Sequence, residues 1–360
     1  VNILIVKLSA IGDVIHTLPA LNALRAHYPF ARITWLVEEA ASDLVIGHRA
    51  LDRVLVSRRK TWIRGLFSGD AVLHFKAAAF FLKNLRDTRY DMILDFHGLL
   101  KSSLLIFLAR GKRKIGFGKG MAHMEYSHLF LNERIPAVSM EYHALKRQLI
   151  FLEGLGIRCS RIVYDVPIRM QDRKEAGQLL ASCGIQPDAV YVAINPGAKW
   201  VTKLWEPGKF ARVADDLIRR HSVRIIFTGS REDSAMVGAI RGRMKEPAAG
   251  VTGKTTLNVL SAIYENAACV LSTDTGPMHL AAAVGTPVVA LFGPTAPSRT
   301  GPFGKRHRVL RTKMACSPCF KRECLLKRHG ANVTALCMEQ ISVQDVIEAV
   351  EGRMDEMGKG

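Results

Sequence analysis

Short runs of apolar, largely β-branched residues alternate with longer stretches of helical periodicity from the start of this chain. Ile3-Leu4-Ile5-Val6 precedes a helical pattern around Leu18 to His27, and Ile33-Thr34-Trp35-Leu36-Val37 and Met92-Ile93-Leu94-Asp95-Phe96 follow. Strands that alternate with helices in this way read as βαβ units on a parallel sheet. A polar, proline-containing stretch from Arg161 to Arg173 interrupts the scheme, which restarts with Val190 to Ile194, Arg224 to Thr228, Cys269 to Ser272 and Pro287 to Phe292. The pattern predicts an α/β protein of two Rossmann-like domains, 1–165 and 173–340, with a linker within 155–172. Doubly wound sheets bind ligands at the carboxyl ends of their strands, so the two sets of strand-end loops are expected to face each other across a cleft. A last amphipathic stretch, Val343 to Met354, opens with Ser342 three residues before Asp345, a helix-start signature. Residues 341–360 are therefore expected as a terminal helix, packed back toward the first domain.

Length and composition agree with that picture and exclude others. A chain of 360 residues exceeds one typical domain, and 48% hydrophobic with 23% charged residues excludes disorder, a collagen-like repeat or a coiled-coil rod. Lys and Arg number 51 against 32 Asp and Glu, a net charge of +19 that draws in polyanions. The excess is regional: between Arg53 and Lys119 there are 15 cations and four acids, densest at Arg58-Arg59-Lys60 with Arg64 and at Lys112-Arg113-Lys114. Such runs are often solvated faces. Nucleic acid is not the expected partner, because zinc-finger spacing and an aromatic RNA-binding signature are both missing and aromatics make up only 7%. No apolar run approaches the roughly 20 residues needed to span a bilayer. The first residues read as a strand and not as a signal peptide, and seven cysteines do not form an even disulfide framework; a cytoplasmic protein is expected.

Candidate chemistry sits where strands end. The first such turn is Lys7-Leu8-Ser9-Ala10-Ile11-Gly12-Asp13. It lacks the three spaced glycines of a dinucleotide fingerprint and the Gly-Lys-Ser/Thr of a P-loop. Asp13 either caps the helix that follows or takes a proton from a bound hydroxyl. Asp274-Thr275-Gly276-Pro277-Met278-His279 follows an apolar strand and opens a helix, where orphan amides and the helix dipole favour phosphate. Its bland alternative is a cap at Asp274 and a packed His279. Asn195-Pro196-Gly197-Ala198-Lys199-Trp200 with Lys203-Leu204-Trp205, and Thr228-Gly229-Ser230-Arg231-Glu232-Asp233, end two further strands. Lys203 suits a leaving diphosphate, although a lone surface lysine is the usual alternative.

With these residues in place, the chain resembles the lipopolysaccharide heptosyltransferases of glycosyltransferase family 9 over nearly its whole length. Ile3 through Leu21, Val37-Glu38-Glu39, Tyr90-Asp91 through Ser102, and Asp274 through His279 are most like heptosyltransferase I. The resemblance implies two Rossmann-like domains in the glycosyltransferase-B arrangement and inverting, metal-independent transfer with no required cofactor. The donor would be ADP-heptose on the second domain. The acceptor would be the acidic Kdo-lipid A on the first, with the enzyme peripheral on the anionic inner face of the cytoplasmic membrane. By motif match Asp13 is the base and Lys203 assists catalysis; Ala198, Lys203, Glu232, Asp274, Thr275, Gly276 and His279 hold the donor. Ser9, Gly12, Lys60 and Arg64 are the acceptor candidates, the last two in a loop after Val54 to Val56. Ala198 stands where heptosyltransferase I members can carry a hydroxyl, which leaves the phosphate contact there to backbone amides.

A second departure lies at Cys316, Cys319, Cys324 and Cys337, in a segment closer to heptosyltransferase II. Their spacing, C-x2-C-x4-C-x12-C, offers four thiolates to a structural zinc or an iron–sulfur cluster, against the alternative of buried thiols. No catalytic metal is expected. Two other readings remain open: a family member using another nucleotide sugar or acceptor, and a non-catalytic polyanion-binding protein explained by charge alone.

Overall fold

The computed structural model describes all residues except 66, 68–69, 122–125, 327–334 and 358–360. The chain divides into two units, Val1–Pro167 and Ile168–Gly360. Each is built on a six-stranded, wholly parallel sheet. In the first, β1 (Asn2–Val6), β2 (Arg32–Glu38), β3 (Arg53–Ser57), β4 (Tyr90–Asp95), β5 (Gly111–Phe117) and β6 (Glu133–Ile135) lie in the order β3-β2-β1-β4-β5-β6. In the second, β7 (Tyr191–Asn195), β8 (Arg224–Phe227), β9 (Ala249–Gly250), β10 (Cys269–Thr273), β11 (Val288–Phe292) and β12 (Arg308–Arg311) lie in the order β12-β11-β10-β7-β8-β9. Read from its other edge, the second order repeats the first. Chain direction across the sheet therefore reverses between β1 and β4 and between β7 and β10, and a doubly wound sheet opens its binding crevice at such a reversal.

The central strands are the apolar runs of the sequence because helices cover both sheet faces. Ile3, Leu4, Ile5 and Val6 are all fully buried, as are Val192, Ala193 and Ile194 at the corresponding place in the second sheet. Outer strands were less visible. β5 contains Lys112-Arg113-Lys114, so a run that reads as a surface patch is a strand, paired in register with β4. Its Arg113 forks onto Glu133 of β6 at 2.8 and 2.7 Å, which spends that cation within the sheet. Likewise the expected loop after β3 is a short helix, Arg59–Gly65.

The terminal helix, Val343–Met357, packs within the second unit. Its start is capped as the spacing predicted, with the Asp345 amide donating to Ser342 Oγ at 3.0 Å. Val346, Ile347 and Val350 are buried in the core of the second unit with Val213, Leu217, Val289 and Leu291. His221 meets Glu351 at 2.8 Å, tying it to the helix Pro207–His221. The helix's apolar stripe matches the second core and is satisfied there; the last residues of the 341–360 segment, 358–360, lie outside the described residues. Among the described residues no helix is long and apolar enough to cross a membrane.

Candidate functional site

The reversal in the second sheet places the loop after β7 beside the loop after β10. Thr273 at the end of β10 donates its hydroxyl to the Gly197 carbonyl at 2.6 Å, stitching the two loops together. The loop after β8 joins them at Gly197, where a Cβ would lie 2.1 Å from Asp233 Oδ1; only a glycine lets these two turns close. Asp233 in turn accepts from both the amide and the hydroxyl of Ser230 at 2.7 Å. The turn that presents Glu232 is thereby held, with Glu232 itself exposed to solvent.

On this platform Lys203 Nζ meets Asp274 Oδ2 at 2.7 Å and donates to the Asp274 carbonyl at 3.3 Å. Asp274 is buried, and Thr295 donates a second hydrogen bond to the same oxygen at 2.6 Å. A buried carboxylate needs such partners, since an unpaired charge out of water is costly. Lys203 also lies 4.7 Å from the centre of the Trp200 ring, a cation–π contact that fixes the other side of the ammonium. The helix Gly276–Ala283 starts immediately beyond, with Thr275 as its cap residue and Pro277 in its first turn. Asp274 is thus not the cap that the bland reading required: its carboxylate positions the lysine. Thr275 and Gly276 sit partly open at the helix start, Ala198 is partly open on the β7 loop, and His279 is buried inside the helix.

The first unit has a matching arrangement at its own reversal. Lys7, buried at the end of β1, donates to the Phe96 carbonyl at 2.9 Å, across to the loop after β4. Burial lowers the Lys7 ammonium below its ordinary range, an effect that the nearby carboxylates of Asp13 and Asp95 partly offset. Asp95 is buried and pushed up to about 6 by that burial, against the pull of the Gly98 and His97 amides, each donating to its Oδ1 at 3.0 Å. Asp13 lies in the first turn of the helix Ile11–His27, partly exposed with Gly12, and accepts from the Ala10 amide at 3.2 Å. One oxygen of Asp13 thus helps to close the helix start, in a solvent-reachable turn.

Ser9 belongs to a chain of charges that the sequence reading did not assemble. Lys101 Nζ donates to Ser9 Oγ at 2.6 Å and meets Glu38 Oε1 at 3.3 Å, while Arg59 approaches that same oxygen at 3.7 Å. Arg58 pairs with Glu39 at 3.0 Å. Lys60 and Arg64, on the helix Arg59–Gly65, are exposed. The cations joined to the Ser9 turn are thus Lys101 and, through Glu38, Arg59. Their common feature, a cation in the first turn of the helix that follows β3 or β4, could have identified them.

The four cysteines are all free thiols and line one cavity of about 110 Å³ with Thr202, Met314 and Lys321. Cys337 is buried, Cys319 and Cys324 partly buried, and Cys316 exposed. Burial raises the Cys337 thiol above its ordinary value, reinforced by Cys324 and Cys319 nearby. Among the described residues no three His, Cys, Asp or Glu side chains are grouped as a metal site.

Comparison with known proteins accords with this geometry. Residues 79–329 match the model of glycosyltransferase family 9 (heptosyltransferase). Lipopolysaccharide heptosyltransferase 1 of Pseudomonas aeruginosa is 30% identical over 325 residues, covering 90% of this chain and 87% of that one. Lipopolysaccharide core heptosyltransferase OpsX of Haemophilus influenzae is 27% identical over 99% of this chain and 97% of its own. Among solved structures, Escherichia coli heptosyltransferase WaaC with ADP superimposes with a TM-score of 0.76 at 25% identity, over 98% of this chain and 100% of that one. By that family match over most of its length, this chain belongs to glycosyltransferase family 9, the heptosyltransferases.

Proposed function

We propose that this protein transfers heptose, with inversion, from ADP-heptose to the Kdo region of the lipopolysaccharide inner core. The observation that carries the proposal is the Lys203–Asp274 pair at 2.7 Å beside the start of the helix Gly276–Ala283. Breaking the anomeric bond sends its electrons onto the diphosphate. In this reading Lys203 and the amides at Thr275 and Gly276 take up that developing charge, with Ala198 contributing its backbone and Glu232 reaching the ribose. His279 shapes the start of the helix from inside. No divalent cation is assigned to the step. Support for the donor comes from the WaaC structures, solved with ADP and with ADP-2-deoxy-2-fluoro heptose.

The acceptor hydroxyl is assigned to the first unit. Its oxygen attacks the anomeric carbon while its proton passes to Asp13, whose carboxylate lies in an open turn flanked by Ser9 and Gly12. Lys101, Arg59, Lys60 and Arg64 supply cations for an acidic acceptor. A lipid-linked acceptor places the enzyme in the cytoplasm, peripheral on the inner face of the membrane. Relatives named heptosyltransferase 1 and 3 both match at 28% identity or more, so the acceptor sugar is proposed at the level of the inner core.

The test is incubation with ADP-heptose and Kdo-lipid A, followed by mass spectrometry of the lipid. One added heptose is expected, unchanged by EDTA, and the Asp13→Asn variant should lose at least about a hundredfold in turnover with ADP affinity preserved. Transfer only from another nucleotide sugar would replace the donor. Parallel loss of ADP binding in Asp13→Asn would make that residue a structural cap.

A further inference from the structure

Three helices on one side of the first unit expose apolar surface where a soluble helix would carry polar residues. The helix Ala71–Arg86 buries Phe81 and Leu85 against Leu4, Val6 and Ile93 of the first sheet. Its other side presents Val72, Leu73, Phe75 and Phe80, all more than half exposed. Large apolar side chains on the outward as well as the inward side of a helix mark a surface that meets a partner or lipid. Beside it, the helix Leu100–Leu108 exposes Leu104 and Phe107, one turn apart and more than half open to solvent. The two helices pack against one another, and Gly65 of the helix Arg59–Gly65 abuts His74, so the three form one continuous surface.

The charges within this surface are of one sign. The three helices together hold Arg59, Lys60, Arg64, Lys76, Lys83, Arg86 and Lys101, and no acid. Lys76 and Lys83 lie on the outward stripe of Ala71–Arg86 between Val72, Leu73 and Phe80, where long stems lie along apolar surface and ammonium groups reach outward. Pairing this face with a second copy of itself would bring lysines against lysines. An anionic leaflet answers both features, taking up the apolar side chains and neutralising the cations.

We propose that the outer face of Ala71–Arg86, extended by Leu104 and Phe107, is a docking surface for an anionic lipid bilayer, lying in its interface without spanning it. The idea rests on the proposed lipid-linked acceptor only for its purpose, and supplies its geometry. The helix Leu100–Leu108 turns Lys101 inward to Ser9 and Glu38 and its apolar stripe outward. A leaflet held on that stripe keeps the lipid anchor of an acceptor beside the turn that would take its sugar head.

The test uses the full chain and two variants, Phe75→Ser with Phe80→Ser, and Lys76→Glu with Lys83→Glu, in co-sedimentation with phosphatidylcholine vesicles made with and without phosphatidylglycerol. The wild type should bind the anionic vesicles and not the neutral ones, and each variant should bind about tenfold or more weakly. Unchanged ADP binding and circular dichroism confirm that the variants are folded. On a detergent-free, water-soluble Kdo oligosaccharide the variants should match wild-type transfer, and on acceptor embedded in vesicles they should fall behind. Wild-type vesicle binding in both variants overturns the proposal, as does a concentration-dependent dimer that both variants abolish. Because vesicle binding is measured without sugar transfer, failure of the proposed reaction would leave this test standing.

Discussion

Two hydrogen bonds to Asp274, one to its carboxylate and one to its carbonyl, leave the Lys203 ammonium one N–H for the proposed diphosphate. Hydrogen bonds to charged groups contribute about 1.5–3 kcal/mol, so Lys203→Ala should weaken ADP binding by roughly 10- to 100-fold by calorimetry. Asp274→Asn keeps the volume but loosens the lysine, and should reduce turnover more than ADP affinity. Equal losses in both would mean that the carboxylate serves binding alone. A second pair of residues governs pH dependence in opposite senses. Burial raises Asp95 to about 6, so between about pH 4 and 6 the folded state holds a proton that the unfolded chain has released, and stability falls as pH rises. Burial lowers His307 to about 4, so the folded state lacks a proton that the unfolded chain binds below about pH 6.5, and stability falls as pH drops. Each contributes of order 1–2 kcal/mol over the window. Relative to wild type, urea unfolding from pH 4 to 6 should therefore show a slope shifted downward with rising pH in His307→Gln and upward in Asp95→Asn. Parallel profiles in all three proteins would mean that neither group is perturbed by folding.

At the scale of elements, the functional groups stand on strand ends and the first turns of the following helices, and their pairing comes from strand order. The helix Arg59–Gly65 carries Lys60 and Arg64 into solvent while Arg59 is drawn to Glu38, so the three cations of one short helix have different work. Exposed cations are screened over about 8 Å at physiological salt, and those held by a buried carboxylate much less. Neutralising Lys60 and Arg64 together should therefore raise the Michaelis constant for the acceptor and leave that for ADP-heptose within about twofold, and added salt should reproduce the effect. Wild-type acceptor kinetics across a salt series would assign acceptor recognition to Lys101 and Arg59 instead. Within the Lys112-Arg113-Lys114 run, Arg113 is held by its fork onto Glu133.

At the scale of the molecule, the two units have separate cores: Leu4, Ile93 and Ile106 anchor one, and Phe210, Leu271 and Val346 the other. Among the described residues no strand is shared between the sheets. Residues 168–360 contain every residue assigned to the donor, and the terminal helix completes their core. Expressed alone, this segment should unfold cooperatively and bind ADP within about tenfold of the full chain. A folded segment without ADP affinity would move the donor site out of the second unit. A segment shortened to end at 341 should be unstable, since it would leave the buried places of Val346, Ile347 and Val350 empty.

Local pattern alone determined much of this protein. Central parallel strands must be apolar over their whole length, which made β1, β4, β7 and β10 readable, and Lys203, Asp274 and Asp13 stood out as charged residues in the loops and helix starts that follow such strands. Contacts distant in sequence were decided only by the tertiary structure. Lys203 reaches Asp274 across 71 positions and Lys101 reaches Ser9 across 92, and no periodicity records which strand lies beside which. Strand β5 escaped for a related reason: its cations are tolerated because β4 and β6 supply the hydrogen bonds and Glu133 the countercharge. The terminal helix announced its apolar stripe but not its partner, since any complementary core satisfies such a stripe and only the folded chain selects one.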